Sequence, residues 1–83
     1  MKFTETRRGH WESDKLGISA AIITRNEQGQ ATGLVHDSVP LFEIEEGEHK
    51  GQTVYRLYKA HLGGHSFVKR FKTLEQAIRF ANN

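Results

Sequence analysis

Apolar and polar positions alternate with period two along most of the chain, interrupted by short runs of turn residues. That rhythm predicts strands, because successive side chains of a strand point to opposite faces. The segments are Lys2 to Arg7, Leu16 to Arg25, Ala31 to Asp37, Leu41 to Glu46, Gln52 to Leu62 and His65 to Phe71. Arg8-Gly9 ends the first. Asn26 to Gln30 supplies turn chemistry, with Gly29 free to take positive φ. Asp37-Ser38-Val39-Pro40 predicts a break, since proline cannot donate to a ladder. Gly63-Gly64 predicts a tight hairpin.

After residue 72 the period changes. Leu74, Ala77, Ile78 and Ala81 recur at i, i+3, i+4 and i+7, with Phe80 at the edge of that stripe, which predicts an amphipathic helix. Thr73 followed by Gln76 fits a capping box, and Glu75 and Arg79 suit the two ends of the helix dipole. The expected fold is α+β: an antiparallel meander of about five strands with one C-terminal helix packed on a face. With 83 residues, no repeat and no linker, residues 1–83 form one domain.

Composition narrows the function classes. The chain has no cysteine, which removes disulfides, thiolate metal sites and thiol nucleophiles. Leu16 to Ile23, the longest near-apolar stretch, is far shorter than the roughly 20 residues a membrane-spanning helix needs. The opening MKFTETRRGHWESDK has no apolar signal-peptide block, so a cytoplasmic protein without membrane partners is expected. The net charge of +2 hides a division. Residues 1–48 hold five Lys/Arg against nine Asp/Glu (−4), and residues 49–83 hold seven against one (+6).

A two-residue loop at Gly63-Gly64, or a four-residue loop from 62 to 65, sets Leu62 opposite His65 and Lys59 opposite Val68, whereas a three-residue loop would change these pairs. One face then carries Val54, Arg56, Tyr58, Ala60, Leu62, Phe67, Lys69 and Phe71, with the bulk to receive the helix. The other face, with Tyr55, Lys59, Arg70 and Lys72, is basic and is the expected contact surface. The run YRLYKAHLGGHSFVKRFKTLEQAIRFANN resembles the end of AP2-type and integrase arm-type DNA-binding domains. The matching pieces are Tyr55-Arg56, the Leu62-Gly63 turn, and Phe71, Thr73, Glu75 and Ala77 at the opening of the helix. The resemblance covers roughly the last third of the chain. It implies a three-stranded sheet followed by a helix, with the outer sheet face laid on DNA through Tyr55, Lys59, Arg70 and Lys72. The strand Leu41 to Glu46 departs from that pattern. If Phe42 and Ile44 face the helix, Glu43 and Glu45 emerge on the basic face and oppose the positive charge that phosphate binding needs.

Arg7, Arg8 and Trp11 form a second candidate contact, pairing residue types enriched at interface hot spots and suited to base stacking. The bland alternative is that Trp11 closes one end of a small core. Catalysis is not expected. His36-Asp37-Ser38 contains triad residue types in the wrong geometry, and no nucleophile elbow or phosphate-binding loop occurs. Nor is a metal site or cofactor expected. His61 and His65 flank a turn and fall on opposite faces, while His10, His36 and His49 show no ligand spacing. Two functions stay open. One is a non-enzymatic module that docks on nucleic acid or a nucleoprotein complex through the basic sheet face. The other is a protein–protein module, such as a small regulator or inhibitor of the kind phages and mobile elements encode against a host protein complex.

Overall fold

The structure, a computed structural model, describes the backbone of residues 1–83 and every side chain except that of Ser19. Its strands are β1 (Phe3–Arg7), β2 (His10–Ser13), β3 (Leu16–Arg25), β4 (Ala31–Pro40), β5 (Phe42–His49), β6 (Gln52–His61) and β7 (Gly64–Phe71), followed by helix α1 (Leu74–Ala81). The α+β class, the antiparallel pairing and the helix packed on the sheet agree with the periodicity. The strands number seven, however, and they form two sheets. Five make an antiparallel sheet in the order β1-β2-β5-β6-β7, while β3 and β4 pair with each other as a separate ribbon.

Two boundaries differ from expectation for local reasons. β2 is only four residues long, too short for alternation to register in sequence. Gly9, at φ 76°, makes the turn that precedes it, and its N–H donates to the Glu5 carboxylate at 3.2 Å. β4 runs on through Asp37-Ser38-Val39 instead of breaking there. Pro40 pairs with Leu16 at the very end of the ribbon, where a missing backbone donor is tolerated.

The core lies between the five-stranded sheet and α1. Ile44 on β5 and Leu57 on β6 stand opposite each other in register and are fully buried, closed over by Ala77 and Ala81. Phe3, Trp11, Phe42, Tyr55, Phe71, Leu74 and Ile78 pack around them. The small alanines let α1 approach the sheet closely. Thr73 caps the helix, its hydroxyl accepting the Gln76 N–H at 3.2 Å, and the Gln76 amide oxygen accepts the Lys72 N–H at 3.3 Å. The Met1 ammonium donates to the Asn82 side chain at 2.6 Å, which brings the chain ends together.

The faces of β6 are the reverse of those expected. Leu57 and Tyr55 turn toward the helix, whereas Arg56, Tyr58 and Ala60 face away. The hairpin loop is Leu62-Gly63, so His61 opposes Gly64 and Lys59 opposes Ser66, not Val68. A bulge at Val68, between the pairs Tyr58–Phe67 and Leu57–Lys69, then switches the side on which β7 presents its residues. Lys69 and Phe71 therefore do lie on the helix side, as expected, but with Leu57 and Tyr55 as companions. The bulk of Tyr58 and Ala60 is received instead by the base of β3, which crosses the opposite face. Gly17 there comes so close that an added Cβ would lie 3.2 Å from that of Ala60.

Candidate functional site

The residues predicted for nucleic-acid contact do not share a surface. Tyr55 belongs to the core rim, 5.8 Å from the Trp11 ring, and its hydroxyl donates to Glu46 at 3.4 Å. Lys59 lies on the helix side with its ammonium 5.7 Å above the Phe42 ring. Arg70 is on the other side, opposite Arg56 in register, and its guanidinium donates to the His49 ring at 2.9 Å. Lys72 sits in the short turn before α1 with its side chain exposed. Of the second group, Trp11 packs against the core beside Ile44, while Arg7 reaches Glu45 at 3.5 Å on the opposite face and Arg8 lies in the β1–β2 turn. Glu43 and Glu45 do emerge on the side away from the helix, opposite Tyr58 and Arg56. Lys59 is thus separated from them by the sheet itself.

Two other features stand out. The first is the β3–β4 ribbon. The molecule measures 56 × 26 × 22 Å with a radius of gyration of 16.3 Å, against about 12 Å for a compact chain of this length. The ribbon accounts for the elongation, leaving the body after its base crosses Ala60. Adjacent residues of a strand point to opposite faces, and Ile22 pairs with Val35 while Ile23 pairs with Leu34. Both faces of the arm are therefore apolar. Leu34, Ile23, Ile22 and Val35 are 57%, 54%, 50% and 49% exposed, and Leu16 and Ile18 continue the surface toward the body. No Lys, Arg, Asp or Glu occurs from Leu16 to Thr24 or from Ala31 to His36. The sequence carries this signal as the near-apolar stretch Leu16 to Ile23, too short to span a membrane and part of the strand segment Leu16 to Arg25, with nothing local to show that both of its faces stay uncovered.

The second feature is a cleft of about 330 Å³ on the sheet face away from α1, lined by Arg7, His10, Glu43, Glu45, Tyr58 and His65. His10 is buried, with a side chain only 8% exposed. Its Nε2 donates to Glu43 at 3.0 Å and its Nδ1 lies 3.3 Å from Glu45. His65 donates to the other Glu43 oxygen at 3.0 Å and also approaches the Pro40 carbonyl at 3.1 Å. The ligating types come from three strands, β2, β5 and β7, so no sequence spacing could have joined them. Comparison with protein-family models, with curated proteins and with solved structures returns no match.

Proposed function

We propose that the protein is a non-enzymatic protein-interaction module that docks through the apolar β3–β4 arm, and that its first occupant is a second copy of the chain. The observation that carries this reading is a ribbon apolar on both faces, with no Lys, Arg, Asp or Glu from Leu16 to Thr24 or from Ala31 to His36 and with Ile22, Ile23, Leu34 and Val35 about half exposed. A two-stranded ribbon is marginal on its own in water. Its apolar faces need cover whether or not any other protein is present, and the one surface always at hand is another copy.

The dimensions suit such a contact. Ten residues of strand span about 33 Å, and two strands with their side chains are about 10 Å wide. Both faces together offer roughly 700 Å², near the roughly 800 Å² per partner of a standard interface. Exposed Leu62, Phe67 and Val68 around the β6–β7 turn, beside the base of β3, extend it onto the body. The division of Tyr55, Lys59 and Arg70 between two faces gives the nucleic-acid alternative no single basic surface on which to build.

The test is the mass in solution of the wild-type chain and of an Ile22→Lys/Leu34→Lys variant, which places one charge on each face of the arm. The wild type is expected to sediment as a dimer of the 9.5 kDa chain at about 100 μM, and the variant as a monomer with an unchanged helix signal. Raising salt should leave the dimer intact, because burial of apolar surface is not screened. A monomeric wild type, or a variant that still dimerises, sinks the proposal. So does a salt-sensitive shift of DNA or RNA at low salt, which would restore the nucleic-acid reading.

A further inference from the structure

The carboxylates of the cleft are arranged at odds with their own charge. Glu12 on β2 and Glu43 on β5 are direct cross-strand partners on one face, where like charges destabilise each other. Glu12, beside the cleft, makes no ion pair among the described residues; Arg7, which lines the cleft, goes to Glu45. His10 adds a second conflict. With its proton on Nε2, donated to Glu43, the buried Nδ1 has no hydrogen-bond partner among the described residues, and its lone pair lies beside the Glu45 carboxylate. With the proton on Nδ1 the conflict moves to Nε2 and Glu43. A neutral ring cannot satisfy both carboxylates.

A second ring proton would answer the conflict at His10 alone, whereas a divalent cation also relieves Glu12 against Glu43. One ligand atom each from His10, Glu12 and Glu43 lies within 4.8 Å of the other two. The 3.0 Å between His10 Nε2 and Glu43 Oε1 is close to the edge, about 2.9–3.4 Å, of an octahedron or tetrahedron with metal–ligand bonds of about 2.0–2.1 Å. Ligation through Nε2 puts the ring proton on Nδ1, 3.3 Å from a Glu45 oxygen that a small turn of the carboxylate would bring into line as acceptor, the histidine–carboxylate arrangement that orients metal-bound imidazoles. Arg7 holds that Glu45, and His65 holds the second oxygen of Glu43. We infer that His10, Glu12 and Glu43 form a binding site for a divalent transition-metal ion, zinc by its mix of imidazole and carboxylate donors, supported by Glu45 and His65.

The test is calorimetric titration of the full chain with Zn²⁺, with Co²⁺ absorption as a second readout, on the wild type and on Glu12→Gln, Glu43→Gln and His10→Gln. The wild type is expected to bind one ion per chain in the micromolar range or tighter and to melt at a higher temperature with zinc than without. Each variant should lose at least about tenfold in affinity, and Glu12→Gln, at a half-exposed position, tests the site even if His10→Gln fails to fold. Binding should also release protons from the ligands. No zinc uptake below about 1 mM, where ordinary surface histidines begin to compete, overturns the inference. Affinity unchanged in all three variants overturns it too, since His36, His49 or His61 would then be the ligands.

Discussion

Gly17 is where the arm is fastened to the body, and replacing it with alanine tests that attachment. A Cβ at Gly17 would lie 3.0 Å from Leu41 Cδ1, 3.2 Å from Ala60 Cβ and 3.4 Å from Leu41 Cα. Carbon atoms prefer about 3.5–4.0 Å. Leu41 Cδ1 can rotate away, but Ala60 Cβ on β6 and Leu41 Cα in the bend between β4 and β5 are held together, the Ala60 N–H donating to the Leu41 carbonyl at 2.8 Å. Overpacking of this kind costs about 1–3 kcal/mol. The smaller unfolded-state entropy of alanine offsets about 0.4–1 kcal/mol of that. The net loss is about 0–2.6 kcal/mol, against a total of roughly 4–12 kcal/mol for a domain of this size. Urea unfolding followed by the fluorescence of Trp11, the single tryptophan, reads it directly. The sharper form is a double-mutant cycle with Ala60→Gly, which removes the opposing methyl. The double variant should be less destabilised than the sum of the singles by at least about 0.5 kcal/mol. Strict additivity in the cycle would refute the placement of β3 across β6.

Two further outcomes follow from the core and the helix. Leu57→Ala should cost about 2–5 kcal/mol in the same unfolding assay, because Leu57 is fully buried against Ile44 and α1; a loss below about 1 kcal/mol would return β6 to the opposite orientation. Thr73→Ala should cost about 0.5–2 kcal/mol, with Thr73→Ser restoring most of it, since the contact is the hydroxyl on the Gln76 N–H.

The elements that sequence could reveal are those whose signal is local. α1 is marked by its apolar stripe and by Thr73, whose hydroxyl caps the Gln76 N–H as the spacing requires. The Gln76 amide takes the N–H of Lys72, one residue before the one a capping box uses. The strand segments are marked by alternation, and Phe42 and Ile44 face the helix as that alternation implies. What could not be read is which face of β6 is covered. Tyr58 and Ala60 look like a core face in composition, and they are covered, but by the base of β3 and not by the helix. The bulge at Val68 is also silent in sequence, since no glycine or proline marks it. The histidine–carboxylate cleft needs β2 beside β5 and His65 reaching over β6. That adjacency exists only once β3 and β4 have left the sheet as a ribbon.

The same departure explains the charge. Residues 1–48 and 49–83 carry −4 and +6, and a split of that size suggests two oppositely charged surfaces. With the arm excluded, β5 falls between β2 and β6, so its glutamates stand among the histidines and arginines of both halves. Glu43 meets His10 and His65, Glu45 meets Arg7, and Glu46 takes the Tyr55 hydroxyl. Arg56 donates to the Glu48 carbonyl. The body thus mixes its charges within single strand-to-strand distances, well inside the roughly 8 Å over which salt screens at physiological strength. At Glu43 and Glu45 the two signs meet directly, so those carboxylates weigh less at a distance than the −4 of residues 1–48 suggests. The arm is where that meeting of signs has no counterpart, because it carries neither sign along the stretches that pair Ile22 with Val35 and Ile23 with Leu34. On the proposed reading, a partner is selected by the shape of that apolar ribbon, and the charges of the body act on what approaches it.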